Sequence, residues 1–138
     1  MKKVVIVLMS VVLLSSAVMI PVGAAMPEDN TVQPLWDNTN VIDCTVGFIE
    51  GTGRAESLVY AKFGATSIKT DIYVYALGDN AWIYVAEAHD TKNAITSVST
   101  CLFDAILNET YRVDYTFTVT RNGTDEVITR TVYETYSE

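Results

Sequence analysis

Residues 111–120 read YRVDYTFTVT, and this stretch decides the fold class. Aromatic or aliphatic side chains alternate strictly with charged residues and threonines along it. Such period-two alternation is typical of a β-strand with one face in a core and the other in solvent. Asn122-Gly123 follows, the pair preferred in a type I′ turn because both positions need positive φ. Residues 126–136 alternate again, so the sequence predicts a β-hairpin here.

Five further alternating runs precede this hairpin and predict five more strands. Gly64-Ala65 and Gly78-Asp79-Asn80 are turn signals, whereas residues 89–93 read as a loop and 104–110 as a corner with room for one helical turn. One strand cannot bury its apolar face alone, but two sheets packed face to face can. We therefore expect an all-β, seven-stranded antiparallel sandwich, with a small barrel as the alternative. The five runs are residues 41–48, 54–63, 68–76, 82–88 and 94–103.

The N-terminus has the three parts of a secretory signal. A basic end precedes an apolar centre over residues 4–20, and small residues follow Pro21. Cleavage after Ala24 or after Ala25 fits this pattern. An uncleaved anchor is the alternative, but a spanning helix needs about 20 apolar residues and this stretch is shorter. We therefore expect a signal helix within residues 1–25 and a secreted, extracellular protein.

The mature chain is strongly acidic. Residues 1–25 contain two of the nine basic residues and none of the 17 acidic ones, so seven basic residues against 17 acidic ones give a net charge of −10. Such a surface repels polyanions, which argues against nucleic acid and against a membrane as partners after signal cleavage. Residues 26–40 are polar and acidic and predict a flexible lead-in, anchored by Trp36, to a domain at residues 41–138.

Residues 107–113, LNETYRV, resemble the approach to the sixth strand of fibronectin type III domains. In immunoglobulin-like sandwiches a Tyr at this corner hydrogen-bonds to nearby backbone, so the resemblance implies that structural role for Tyr111. The span 36–136 also resembles small secreted proteins of Gram-positive bacteria that carry one such domain. The chain departs from fibronectin type III domains in having no Trp in its second strand. It departs from immunoglobulin domains, which pair cysteines of the second and sixth strands and have a Trp in the third, since its cysteines lie in the first and fifth strands and Trp82, expected to be structural, lies in the fourth.

Cys44 and Cys101 are the only cysteines, and both lie on predicted strand faces with apolar neighbours. In an exported chain the sequence favours a disulfide between them. The bond would close a loop of about 57 residues and contribute about 4 kcal/mol in the chain-entropy model. Two buried free thiols are the alternative. In either case the role of the two cysteines is structural.

The sequence offers no complete catalytic or metal-binding set. His89 is the only histidine, and one histidine cannot complete a zinc site. No nucleophile motif accompanies His89 and its neighbour Asp90. Asp79 and Asn80 carry hard oxygens but lack a spaced calcium loop, and turn chemistry accounts for them. We expect no enzymatic activity, no metal and no cofactor.

Three tyrosines are candidates for ligand binding. Tyr73 and Tyr75 share one face of the third predicted strand, and Tyr60 lies on the polar face of the second. If those strands pair, the three rings form an exposed platform, and such rings stack on sugars and on partner side chains. Ordinary packing between neighbouring strands is the alternative.

These patterns together favour a secreted, non-catalytic binding or interaction module at the cell surface, with a glycan or a protein as its ligand. One alternative is a self-associating structural component that assembles through an edge strand. Another alternative is a glycoside hydrolase that uses two carboxylates.

Overall fold

The computed structural model describes residues 35–138, and Trp36–Glu138 form one compact unit. The predicted signal peptide, with Ala24 and Ala25, and most of the predicted lead-in lie outside the described residues. Within the described part of the chain, no helix is long and apolar enough to cross a membrane.

Within residues 35–138, seven antiparallel strands form two sheets, which confirms the predicted all-β sandwich. One sheet has three strands in the order β1-β2-β5, and the other has four in the order β4-β3-β6-β7. The strands are β1 (Thr39–Ile49), β2 (Thr52–Ala61), β3 (Ala65–Leu77), β4 (Trp82–Lys92), β5 (Thr96–Asp104), β6 (Thr110–Arg121) and β7 (Thr124–Thr135).

The core lies between the two sheets and follows the alternation of the sequence. Strand β6 buries every second residue, from Tyr111 to Val119, whereas the residues between them are partly exposed. Strand β3 does the same with Ile68, Ile72 and Val74. Because successive side chains point to opposite faces of a strand, the residues between these buried ones form the outer face of the four-stranded sheet.

Tyr111 makes the contact expected of a corner tyrosine. Its hydroxyl accepts a hydrogen bond of 2.8 Å from the backbone N–H of Ile106, and its ring packs against Phe103 with a centroid distance of 5.1 Å. The segment between β5 and β6 takes the form of a turn, with Asn108 at a φ of 67°, rather than a helical turn. This corner fixes the start of β6.

Strand β4 is longer than predicted. Residues 89–92, predicted as loop, continue the strand because β3 is 13 residues long and pairs with β4 as far as Ile68 opposite Lys92. A register shift next to Tyr75 inserts Val85 as an extra residue in β4. The shift places Ala86 against the core, on the face opposite to that predicted from its spacing to Trp82 and Tyr84.

Residues 36–40, which precede most of β1, belong to the compact unit Trp36–Glu138. The Glu126 carboxylate accepts hydrogen bonds from the backbone N–H groups of Asp37 and Asn38 and from the Thr39 hydroxyl. The buried Asn38 amide donates to two backbone carbonyls of the β6–β7 hairpin. These bonds fasten the segment that enters β1 to the other sheet.

The predicted disulfide is wrong in this structure, because Cys44 and Cys101 are free thiols. Cys44 in β1 lies opposite Ser57 of β2, and Cys101 in β5 lies opposite Ala55 of β2. Strand β2 therefore separates them, and two strand spacings amount to about 9–10 Å. A disulfide needs Cα atoms within about 7 Å. Burial raises the pKa of Cys44 to about 12 and also raises the pKa of Cys101.

Candidate ligand-binding face

The outer face of the four-stranded sheet carries a row of large side chains that crosses all four strands. Tyr84 of β4 lies opposite Tyr75 of β3, which lies opposite Arg112 of β6, which lies opposite Tyr133 of β7. We call these four residues the aromatic row. Tyr84 is 54% exposed and Tyr133 is 59% exposed, while the two central residues are half-buried. Trp82 adjoins the row at the start of β4.

Arg112 holds the centre of the row together. Its guanidinium carbon lies 4.5 Å from the centroid of the Tyr75 ring and 5.2 Å from that of Trp82, which are cation–π distances. Its Nη2 lies 3.2 Å from a carboxylate oxygen of Asp114. Its Nε has no hydrogen-bond partner among residues 35–138. Arg112 thus joins rings from the β3–β4 hairpin to its own strand.

The rings also contact one another in pairs. Tyr75 and Tyr84 meet edge to face at a centroid distance of 6.3 Å, and Trp82 packs against Tyr133 at 5.7 Å. Aromatic pairs in such geometry contribute about 0.5–1.5 kcal/mol beyond the area that they bury. The contacts fix the orientation of side chains that stay open to solvent. Trp82, expected to be structural, therefore lies on this outer face.

A second row lies beside the aromatic row and is polar. Glu87, Tyr73, Asp114 and Thr131 occupy successive strands in register, and we call them the polar row. Asp114 accepts a hydrogen bond of 2.8 Å from the Thr131 hydroxyl while it pairs with Arg112. Two residues along a strand separate the rows by about 7 Å. The face thus offers flat rings and, next to them, hydrogen-bonding groups.

His89 and Asp71 form a hydrogen-bonded pair beyond the polar row. The His89 Nδ1 atom lies 2.6 Å from the Asp71 Oδ1 atom, and its Nε2 atom lies 3.5 Å from the Glu87 Oε1 atom. The Asp71 hydrogen bond, followed by the smaller influence of Glu87, raises the pKa of His89. Burial raises the pKa of Asp71, but hydrogen bonds from His89 and Lys69 outweigh it, so the pKa is lowered. The predicted loop histidine is thus a strand residue with two carboxylate neighbours.

The three tyrosines considered from the sequence do not form one platform. Tyr73 and Tyr75 lie on this face, in the polar row and the aromatic row respectively. Tyr60 lies on the outer face of the other sheet, because β2 pairs with β1 and β5 and not with β3. The turn at Gly64, with a φ of 89°, carries the chain from one sheet to the other.

Sequence reasoning did not assign Tyr84, Arg112 or Tyr133 to a site. A signal for two of the contacts was present, since each hairpin turn sets the register of the strands that it joins. Counting back from the turn at residues 78–81 puts Tyr84 opposite Tyr75, and counting back from Asn122-Gly123 puts Tyr133 opposite Arg112.

The face has the chemistry of a binding surface. Its rings can stack on a ligand, and its carboxylates, hydroxyls and imidazole can exchange hydrogen bonds with one. Within residues 35–138, no group of three or more histidine, cysteine or acidic side chains is arranged to hold a metal ion. No known family model and no curated protein matches the chain.

Proposed function

We propose that the protein is a secreted, non-catalytic recognition module that binds a glycan or protein at the cell surface. The ligand lies on the outer face of the four-stranded sheet. The observation that carries this proposal is the aromatic row, where Tyr84 and Tyr133 remain more than half exposed although contacts with their neighbours order them.

Two physical arguments support this use of the face. Tyr and Trp present large contact areas and lose little conformational entropy on binding, because each side chain has only two χ angles. A site on paired strands is also held more rigidly than a site on loops. The four residues of the aromatic row lie within their strands, each third from a strand end, and each strand is paired to its neighbour. The binding surface is therefore formed before the ligand arrives.

The sandwich is, in our proposal, of the fibronectin type III-like kind. In constant-type immunoglobulin domains the fourth strand belongs to the sheet of the first, second and fifth. Here β4 instead pairs with β3, in the sheet of β6 and β7. The Tyr111 hydroxyl at the β5–β6 corner agrees with the same resemblance. This arrangement creates the four-strand width of the face.

A capture experiment tests the proposal. The secreted protein, immobilised on beads, is incubated with whole cell-surface extract, and Trp82→Ala and Tyr133→Ala variants are treated in parallel. Tyr60→Ala is the matched control, because Tyr60 is 46% exposed but lies on the other sheet. We expect the parent and the control to retain surface material, and each face variant to bind it at least about tenfold more weakly. Equal retention by all four proteins would remove the face from the proposal, and no retention by any would end it.

Self-association is a second candidate, favoured by the outer face of the three-stranded sheet. Ile49, Val98 and Leu102 are all more than half exposed there. A second copy of the chain could cover these side chains. Sedimentation velocity over a hundredfold concentration range tests this, with Leu102→Lys alongside. A defined oligomer that Leu102→Lys dissociates is the expected result, and a strict monomer at the highest concentration rules the candidate out.

A further inference from the structure

We infer that the outer face of the four-stranded sheet takes a neutral glycan chain, whose sugar rings stack on the aromatic row while its hydroxyls bond to the polar row. This inference rests on the proposed recognition function and adds the chemical class of the ligand.

The charges on the face argue for a neutral ligand. The Lys69 Nζ atom lies 2.9 Å from the Asp71 Oδ2 atom, and the Arg112 Nη2 atom lies 3.2 Å from the Asp114 Oδ2 atom. His89, the third basic side chain of the face, lies between Asp71 and Glu87. Each of these basic side chains therefore already has a carboxylate neighbour. A sulfate, phosphate or uronate group would meet three carboxylates without an uncommitted cation to balance its charge.

The two rows match the two kinds of surface on a sugar ring. The C–H face of a pyranose is apolar and stacks on aromatic rings, whereas its edge carries hydroxyls that donate and accept hydrogen bonds. Tyr84 and Tyr133 provide exposed rings at the two ends of the aromatic row. Glu87 and the Tyr73 hydroxyl belong to the neighbouring polar row, where ligand hydroxyls would reach them. The four strands span about 14 Å, enough for a short stretch of a polymer.

A protein partner fits this face less well. The centre of a protein interface is depleted of charged residues, and each partner typically buries about 800 Å². Here Arg112 and Asp114 form an ion pair on the inner strand β6 that links the aromatic row to the polar row, and Asp71, Glu87 and His89 add further charged or ionisable groups to the face. Covering these groups with an apolar protein surface would remove water from them without adding partners. Glycan hydroxyls can supply such partners.

Affinity electrophoresis with matched soluble polymers tests the inference. The first set of gels contains either neutral hydroxyethylcellulose or its anionic counterpart, carboxymethylcellulose. The second set contains one of the neutral polymers xylan, mannan or mixed-linkage glucan, and gels with anionic polygalacturonate serve as its comparison. The full secreted protein is run with Trp82→Ala, Tyr84→Ala and the control Tyr60→Ala. Thermal melting shows whether each variant is folded. If one of the two face variants is unstable, the other still tests the inference.

The expected result is retardation by at least one neutral polymer, at least about tenfold weaker in both face variants and unchanged in Tyr60→Ala. Stronger retardation by the anionic polymers would overturn the inference. The inference would also fail if no neutral polymer retarded the protein while capture from cell-surface extract still depended on Trp82. In that case the proposed recognition function would be retained, but the ligand would belong to another chemical class. Loss of both responses would reject the recognition function as well.

Discussion

Placing a methyl group on Gly53 should destabilise the domain, because the ring of Phe103 occupies the space that the methyl would enter. Gly53 in β2 lies directly opposite Phe103 in β5. A Cβ atom at this position would overlap two atoms of the ring, and even the third, Cε1, would be 2.7 Å away. Ordinary contacts of a Cβ atom begin at 3.4 Å. The ring therefore has to move if Gly53 becomes alanine.

The surroundings of Phe103 set the magnitude. The ring is 6% exposed, and its centroid lies 5.1 Å from that of Tyr111 and 6.3 Å from that of Phe48. Moving it away from Gly53 compresses or breaks these contacts. Overpacking of this kind costs about 1–3 kcal/mol. In a domain of roughly 100 residues, each kcal/mol lowers Tm by about 4–8 °C.

Urea unfolding of the parent and of four variants measures this effect: Gly53→Ala, Gly47→Ala, Phe103→Ala and the Gly53→Ala/Phe103→Ala double variant. Gly47→Ala is the matched control, because it is also a strand glycine of the same sheet and a methyl there meets nothing within 4 Å. We expect Gly47→Ala to leave the free energy of unfolding within about 0.5 kcal/mol of the parent or to raise it slightly. In a Phe103→Ala background, the additional cost of Gly53→Ala should fall by about 1 kcal/mol or more, since the ring is gone. Equal effects of the two glycine substitutions, or additive effects of the Gly53 and Phe103 changes, would refute the reasoning.

Three more predictions follow from buried or paired groups. Asp71→Asn should lower the pKa of His89, as an NMR titration of the imidazole would show. Because the folded-state pKa of His89 is raised, its pairing stabilises the parent below the ordinary histidine range, and this stabilisation is lost as pH rises through the raised pKa. Asp71→Asn should weaken this pH dependence, and Glu87 retains the remainder. Thr70→Val should raise the free energy of unfolding by about 1 kcal/mol in urea, because the Thr70 hydroxyl is buried without a partner among residues 35–138, and a loss of stability would contradict this. Cys44 and Cys101 should both react with a thiol reagent in denaturant without reductant. Failure of both thiols to react would contradict the finding that the two cysteines are free.

Local pattern was enough to predict the sandwich and the two hairpins that meet in the outer face of the four-stranded sheet. The Asn122-Gly123 turn determines that Arg112 lies opposite Tyr133, and the turn at residues 78–81 determines that Tyr75 lies opposite Tyr84. Each register follows by counting from a turn, because the residues concerned are close in sequence.

The contact that joins the two hairpins could not be read in this way. Tyr75 lies opposite Arg112 because β3 pairs with β6, and no turn connects those strands. The register of strands that no turn connects also explains why the sequence put Tyr60 on the wrong sheet and predicted a disulfide that is absent from residues 35–138. Both expectations depended on which strands are neighbours, and the position of β2 between β1 and β5 decides both. Strand order is a property of the whole fold, whereas alternation is a property of each strand.

The alternation that builds the core also separates the proposed binding face from it. Along β6, Tyr111 and Val113 enter the core, while Arg112 and Asp114 point to the other side of the sheet. Substitutions of exposed rings on that side remove proposed binding surface without opening a cavity in the core, so their effects on affinity and on stability should be separable. Arg112 is the exception, because its guanidinium packs between Tyr75 and Trp82 from the other hairpin while it pairs with Asp114 on its own strand. Removing Arg112 would disturb the arrangement of the rings as well as the charge, and for this reason Trp82, Tyr84 and Tyr133 are the better residues with which to test what the face binds.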